Sequence, residues 1–184
     1  HGIHGYLYIN GLHWGMYYFH ERPDHNWAAE MFGGNSDEYD AIKHGTSDPA
    51  YMVNSTITNA PGVTAFTNYN AMVSAAAAVS IDPANLAKYD TLCGRLDVDN
   101  FITYLIANWY GGNTDWPAKN WYATCRSNHS DGRWRFHTWD AEHAMDKEIN
   151  AGDINGAIGL SPSSIHAYLD GSAEYLIRFA DIVH

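Results

Sequence analysis

Basic residues are scarce in this chain. Its 184 residues include 10 Lys and Arg against 21 Asp and Glu, a net charge of −11 with an isoelectric point near 5.2. Binding a nucleic-acid backbone takes a basic face that displaces counterions, so this deficit argues against a nucleic-acid partner. Long apolar runs are missing too. The longest, around residues 75–79, falls far short of the roughly 20 residues a membrane helix needs, so no membrane span is expected. Cysteine is limited to Cys93 and Cys125, without the close spacing of a zinc site. Buried thiols are their expected role, and whether they pair is left open. The 11 His are scattered and form no zinc-binding helix motif. An initiator Met, a basic n-region and an apolar h-region are also lacking, so the stretch reads as an excised or fragmentary domain.

What is present suits a soluble acidic domain with a real core. Apolar residues make up 46% and charged residues 17%, which argues against disorder. Residues 6–21 read as a β-hairpin, because Asn10-Gly11 supplies the positive φ angles of a type I′ turn between β-formers. Pro23 ends the second strand. A short helix over 24–32 is broken by Gly33-Gly34, and a brief strand is expected over 39–43. Four consecutive Ala favour a helix over 63–80. Asp82-Pro83 then reads as the N-cap and first turn of another. The clearest helix covers 97–110, where Val98, Phe101, Ile102, Leu105, Ile106 and Trp109 recur at three- and four-residue spacings. Gly111-Gly112 terminates it. Strands are expected over 120–126 and 133–139, and helices over 163–169 and 172–183. Hairpin, helices, hairpin, helices is an α+β layout.

The segment richest in chemistry runs from Gly111 to Asn120, followed by a hairpin ending at Trp139-Asp140. It offers a carboxylate at Asp115, a carboxamide at Asn120 and a second carboxylate at Asp140. Phosphoryl transfer uses this kit. One carboxylate orients the attacking hydroxyl, while a carboxamide and a second carboxylate hold Mg2+ against nucleotide phosphates. Magnesium favours hard oxygen ligands and keeps several waters, so two protein ligands suffice. The spacing from Asp115 to Asn120 equals that of the Asp and Asn in the protein-kinase catalytic loop. Spacing alone is matched by ordinary turn chemistry and helix capping. The order helix, loop, hairpin, Asp adds weight to phosphoryl transfer and leaves both readings open.

Three stretches carry a family likeness: residues 8–24 with Asn10-Gly11, Trp14-Gly15 and Glu21-Arg22; residues 97–122 with Asp115 and Asn120; and residues 133–142 with Trp139-Asp140. A weaker match lies in residues 174–181. Together they make the chain similar to the spore-coat CotH kinase family of atypical protein kinases. The resemblance implies a protein-kinase-like α+β core that binds ATP and Mg2+ and phosphorylates Ser or Thr of a protein substrate. It implies a small-lobe hairpin in residues 1–24 and a mainly helical lobe in residues 25–184. By position it makes Asp115 the catalytic residue and Asn120 and Asp140 the metal ligands, with Glu21, Arg22 and Lys119 at the nucleotide. An extracytoplasmic or cell-surface place in a larger bacterial protein would fit. Two departures accompany it. No His-Arg precedes Asp115 and no Phe-Gly follows Asp140, unlike eukaryotic-type kinases. Family members also carry a segment ahead of the hairpin, with basic residues that meet the phosphates. Whether these 184 residues suffice for catalysis is therefore open.

Plainer roles stand beside each assignment. Glu21 and Arg22 also read as a strand-end ion pair, Lys119 as a solvated loop cation and Glu142 as a helix-start carboxylate. The 7 Trp and 13 Tyr read as core residues by default. Two rival functions remain: a carbohydrate-active or carbohydrate-binding surface module using aromatic platforms and an Asp115/Asp140 pair, and a pseudokinase-like scaffold without turnover.

Overall fold

Asn10 and Gly11 adopt φ angles of 51° and 80°, the left-handed pair that folds β1 (Gly2–Ile9) back onto β2 (Leu12–His20). The register slips between Leu7 and Tyr8, which sets Leu7 opposite Gly15 and Tyr8 opposite His13. Gly15 has a φ of 123° beside this bulge, a conformation that favours glycine. In this computed structural model, residues 2–43, 51–54, 65–113, 116–117, 119–127, 129–141, 144–145 and 160–184 are described. The hairpin is a sheet of its own. It has no Asp, Glu, Lys or Arg from residue 2 to 20, yet Ile3, Tyr6 and Leu12 are 71%, 68% and 69% exposed. Its aromatic side chains therefore do not serve the core, contrary to the default expected for them. They pack across the strands instead, as in His4 against Tyr18 and Tyr8 against His13.

Asp24 caps α1 (His25–Phe32), its carboxylate accepting from the backbone N–H groups of Asn26 and Trp27. Beyond it, β3 (Tyr39–Lys43) is not an isolated strand. It forms the interior of a four-stranded antiparallel sheet with β4 (Tyr51–Asn54), β5 (Trp121–Arg126) and β6 (Arg135–Thr138), in the order β4-β3-β5-β6. Alternation along β5 divides its residues between two faces. Trp121, Ala123 and Cys125 join the main hydrophobic core, while Tyr122, Thr124 and Arg126 face the other side. Both thiols are free, with Cys125 buried and Cys93 partly so.

The core comes from α2 (Ala65–Ile81) and α4 (Val98–Gly111), joined by Trp134 and Phe136 of the β6 segment. Between these helices lies α3 (Leu86–Cys93). Its cap is Asn85, whose side chain accepts from the Lys88 N–H, rather than Asp82. Asp82 and Pro83 sit in the preceding turn, closed by the Asn85 N–H on the Asp82 carbonyl. The predicted start at residues 63 and 64 lies outside the described residues, and α2 is described from Ala65. Two closing helices, α5 (Pro162–Leu169) and α6 (Ala173–Val183), complete six helices among the described residues. None of the six is long and apolar enough to cross a membrane.

On α4 the stripe predicted from spacing faces the core. Val98, Phe101, Ile102 and Leu105 are buried, and Ile106 and Trp109 pack partly against them. Leu105→Ala should cost about 2–5 kcal/mol, the usual range for a large-to-small core change, as read from urea unfolding midpoints. A loss below about 0.5 kcal/mol would show that this stripe does not carry the core. Gly112 ends α4 in the left-handed region at φ 62°, its N–H returning to the helix carbonyls.

The start of α4 also holds the edge of the sheet. Asn100 receives the Phe136 N–H at 2.7 Å and donates to the Phe136 carbonyl at 3.3 Å, satisfying the open side of β6. Asp97 caps the helix through the Asn100 N–H and pairs with Arg135 at 3.0 Å. Helix and strand are thereby locked together just before the chain reaches Asp140.

Candidate active site

A cleft of about 710 Å³ opens where the base of the hairpin meets the exit of β6. Tyr18, His20 and Glu21 line it from the end of β2, Trp27 from α1, and residues 136–141 from β6 onward. Its walls are held by ring contacts. His20 lies edge-on to Trp139 at 4.8 Å, and Trp139 packs on Tyr122 at 5.1 Å. Trp27 meets His137 at 4.7 Å.

His137 shares a 2.8 Å hydrogen bond with Thr124. Burial, with the Arg135 charge beside it, pushes its imidazole pKa down to about 3. The ring is neutral at physiological pH and serves as a wall rather than a proton carrier.

Asn120 and Asp140 meet at one end of this cleft region. Trp121 pairs with Thr138, so the residues just outside the β5–β6 ladder are neighbours. The Asn120 Nδ2 donates to the Asp140 backbone carbonyl at 3.1 Å. Both have left-handed backbones, with φ of 63° and 52°. Asn and Asp tolerate that region best among non-glycine residues, though such positions still cost of order 1–3 kcal/mol. Strain of this kind concentrates at ligand sites. Asn120 is buried, while Asp140 is exposed where it lines the cleft.

These two residues fit a hard divalent cation. With Nδ2 committed to Asp140, the amide oxygen is the Asn120 atom suited to a metal, and the Asp140 carboxylate supplies a charged oxygen. Among the described residues no three His, Cys, Asp or Glu side chains gather as a metal-holding group. Asp115 and Glu142 lie outside the described residues, so that count does not reach them.

The loop that carries Asp115 is pinned on both sides of it. Before it, the Asn113 Nδ2 donates to the Asn108 Oδ1 at 3.1 Å, within the buried end of α4. After it, the Trp116 indole N–H donates to the Tyr104 hydroxyl, also on α4. Beyond Asp140, the Met145 N–H returns to the Gly111 carbonyl. The chain on either side of the β5–β6 hairpin is thus drawn to the C-terminal end of α4.

The remaining assigned residues separate. Glu21 lines the cleft and accepts from the Trp27 indole at 3.2 Å. Arg22 turns to Tyr122, its Nε donating to the hydroxyl at 2.8 Å. Lys119 is exposed beside Asn120. The aromatic walls were not singled out from sequence. The signal for Trp139 was its place directly before Asp140. For Tyr18 and His20 it was a hairpin apolar on both faces, too apolar to be half-solvated in the ordinary way.

These features define an α+β protein with an aromatic-walled cleft and a carboxylate–carboxamide pair where two chain segments converge. The chain belongs to the CotH kinase family, whose model, described as CotH kinase protein, matches residues 4–172. That membership carries a kinase-like function. No curated protein and no solved structure matches the chain.

Proposed function

We propose that the chain is the nucleotide-binding and catalytic part of a kinase that uses ATP and Mg2+ to phosphorylate Ser or Thr of a protein substrate. The observation that carries this reading is the Asn120–Asp140 contact, two strained polar residues joined by a hydrogen bond at the cleft. In this reading residues 1–24 are the hairpin of a small lobe and residues 25–184 the larger lobe of a kinase-like core. Asn120 and Asp140 hold Mg2+, which when bound offsets phosphate charge. Asp115 orients the acceptor hydroxyl and takes its proton. The flat rings of Trp139, Trp27 and Tyr18 suit a purine, and Glu21 lines the cleft beside them. Lys119, on the exposed loop beside Asn120, supplies positive charge toward the phosphates.

Calorimetry on the full-length protein tests the metal assignment. Asp140→Asn should weaken Mg2+-dependent ATP binding about 10-fold or more, because a charged ligand to the cation is lost. Equal affinity in both proteins would remove Asp140 from the metal site.

The exposed aromatic hairpin supports a second reading, a carbohydrate-binding surface module. Tyr6, Tyr8 and Trp14 stand in solvent, as sugar-stacking platforms do. Binding of neutral oligosaccharides without any response to ATP and Mg2+ would favour that reading.

A further inference from the structure

The last turn of α4 carries two buried amides whose hydrogen bonds run in one direction. The Asn108 Nδ2 donates to the Tyr104 carbonyl at 2.9 Å, one turn back, and the Asn113 Nδ2 donates to the Asn108 Oδ1 at 3.1 Å. Both residues are 1% exposed. With its Nδ2 committed, Asn113 ends the row in an acceptor, Oδ1, to which nothing donates among the described residues. Successive amides polarise one another, which strengthens that last oxygen as an acceptor. Native folds leave few buried carbonyls without a donor, because each is destabilising. An apolar pair of similar shape at 108 and 113 would serve stability better, so the amides point to a role beyond stability.

Both flanks of Asp115 are referred to one core residue. Tyr104 is buried, and its backbone carbonyl begins the amide row that ends at Asn113, two residues before Asp115. Its hydroxyl accepts from the indole of Trp116, the residue after Asp115. The turn between helix and loop is fixed as well. Gly112 reverses the chain at φ 62°, and the Asn113 N–H closes that turn on the Asn108 carbonyl at 3.1 Å. The Gly111 carbonyl receives the Met145 N–H, so the segment beyond Asp140 is tied to the same turn.

We propose that Asn113 is a positioning residue for phosphoryl transfer, through the row Tyr104–Asn108–Asn113 that sets how Asp115 is presented to the acceptor hydroxyl. The inference rests on the reading of Asp115 given above. A reacting group displaced by about 1 Å loses about 100-fold in rate, whereas nucleotide binding depends on other residues. The row therefore acts on kcat and leaves the KM for ATP nearly unchanged.

The test uses the full-length protein, with phosphotransfer kinetics and urea unfolding on the same preparations. Asn113→Ala and the double variant Asn108→Leu/Asn113→Ala should each lower kcat about 10-fold or more, with the KM for ATP within two-fold of wild type. The double variant removes both polar partners together, so its urea midpoint should equal or exceed that of the wild type. Its kcat should lie within about three-fold of that of Asn113→Ala, because the two amides act as one row. Asp115→Asn runs beside them. If it is impaired while either amide variant keeps the wild-type kcat, the inference is overturned and the reading of Asp115 stands. If the amide variants lose stability while kcat per folded molecule is unchanged, the row serves the fold alone and the inference is again overturned. Full activity in Asp115→Asn, or no phosphotransfer by the wild type, removes the reading and the inference with it.

Discussion

Asp115→Asn should lower phosphotransfer by the full-length protein about 100-fold or more while ATP affinity stays within a few-fold. The asymmetry follows from timing. A carboxylate that orients a hydroxyl and receives its proton contributes most in the transition state, and little to the bound ground state. Asp140→Asn should instead reduce both rate and affinity, since a metal that spans the phosphates acts in each state. Radiolabelled phosphate incorporation and a nucleotide titration on the same preparations separate the two patterns. Full activity in Asp115→Asn would make Asp115 a turn residue in a loop whose ends are held by Asn113 and Trp116.

The second large effect is on stability in acid. His137 has a folded-state pKa near 3, below the roughly 6.5 of an unfolded histidine. Its contribution is complete above about pH 6.5 and is lost as pH falls toward the folded value, because the unfolded chain takes up the proton first. The loss approaches about 1.4 kcal/mol per pH unit within that window. Replacement with Gln keeps a hydrogen-bonding side chain near Thr124 and removes the titration. Between about pH 6 and pH 4 the wild type should therefore lose about 2–3 kcal/mol relative to His137→Gln in urea unfolding. Carboxylates titrate in both proteins and cancel in the difference. Parallel pH curves would mean that His137 charges freely in the fold.

Local signals carried far in this chain because they depend on few residues. Asn10-Gly11, the α4 stripe and the Gly112 stop each rest on a turn or a helical period, and each is found where the residues place it. The cap of α3 went to Asn85 rather than Asp82 because Asp82 and Pro83 were used in a tight turn. The partnership of β3 with β5 was beyond reach from sequence, since pairing across many residues leaves no periodic trace. For the same reason the aromatic hairpin could be mistaken for core: strand propensity states what fits a sheet, not what covers it.

Within the site, Asn120 and Asp140 could be paired in sequence because a hairpin joins them. The contact of Arg22 with Tyr122 could not, because it joins the end of the first hairpin to a strand 100 residues later in another sheet.

The same mixture of near and distant pairings orders the assembly of the molecule. Asn120 and Asp140 are 20 residues apart, whereas Arg22 and Tyr122 are separated by 100 and Glu38 and Arg126 by 88. Closing the 100-residue loop costs about 1.4 kcal/mol more chain entropy than closing the 20-residue one. The half of the cleft that holds Asn120 and Asp140 can therefore form early, as a hairpin locked to α4 by Asn100 and Asp97. The contact of Arg22 with Tyr122 waits until β5 is in place. A chain emerging from N- to C-terminus makes its first hairpin before any surface exists to receive it, and completes the cleft only after β5 has been synthesised.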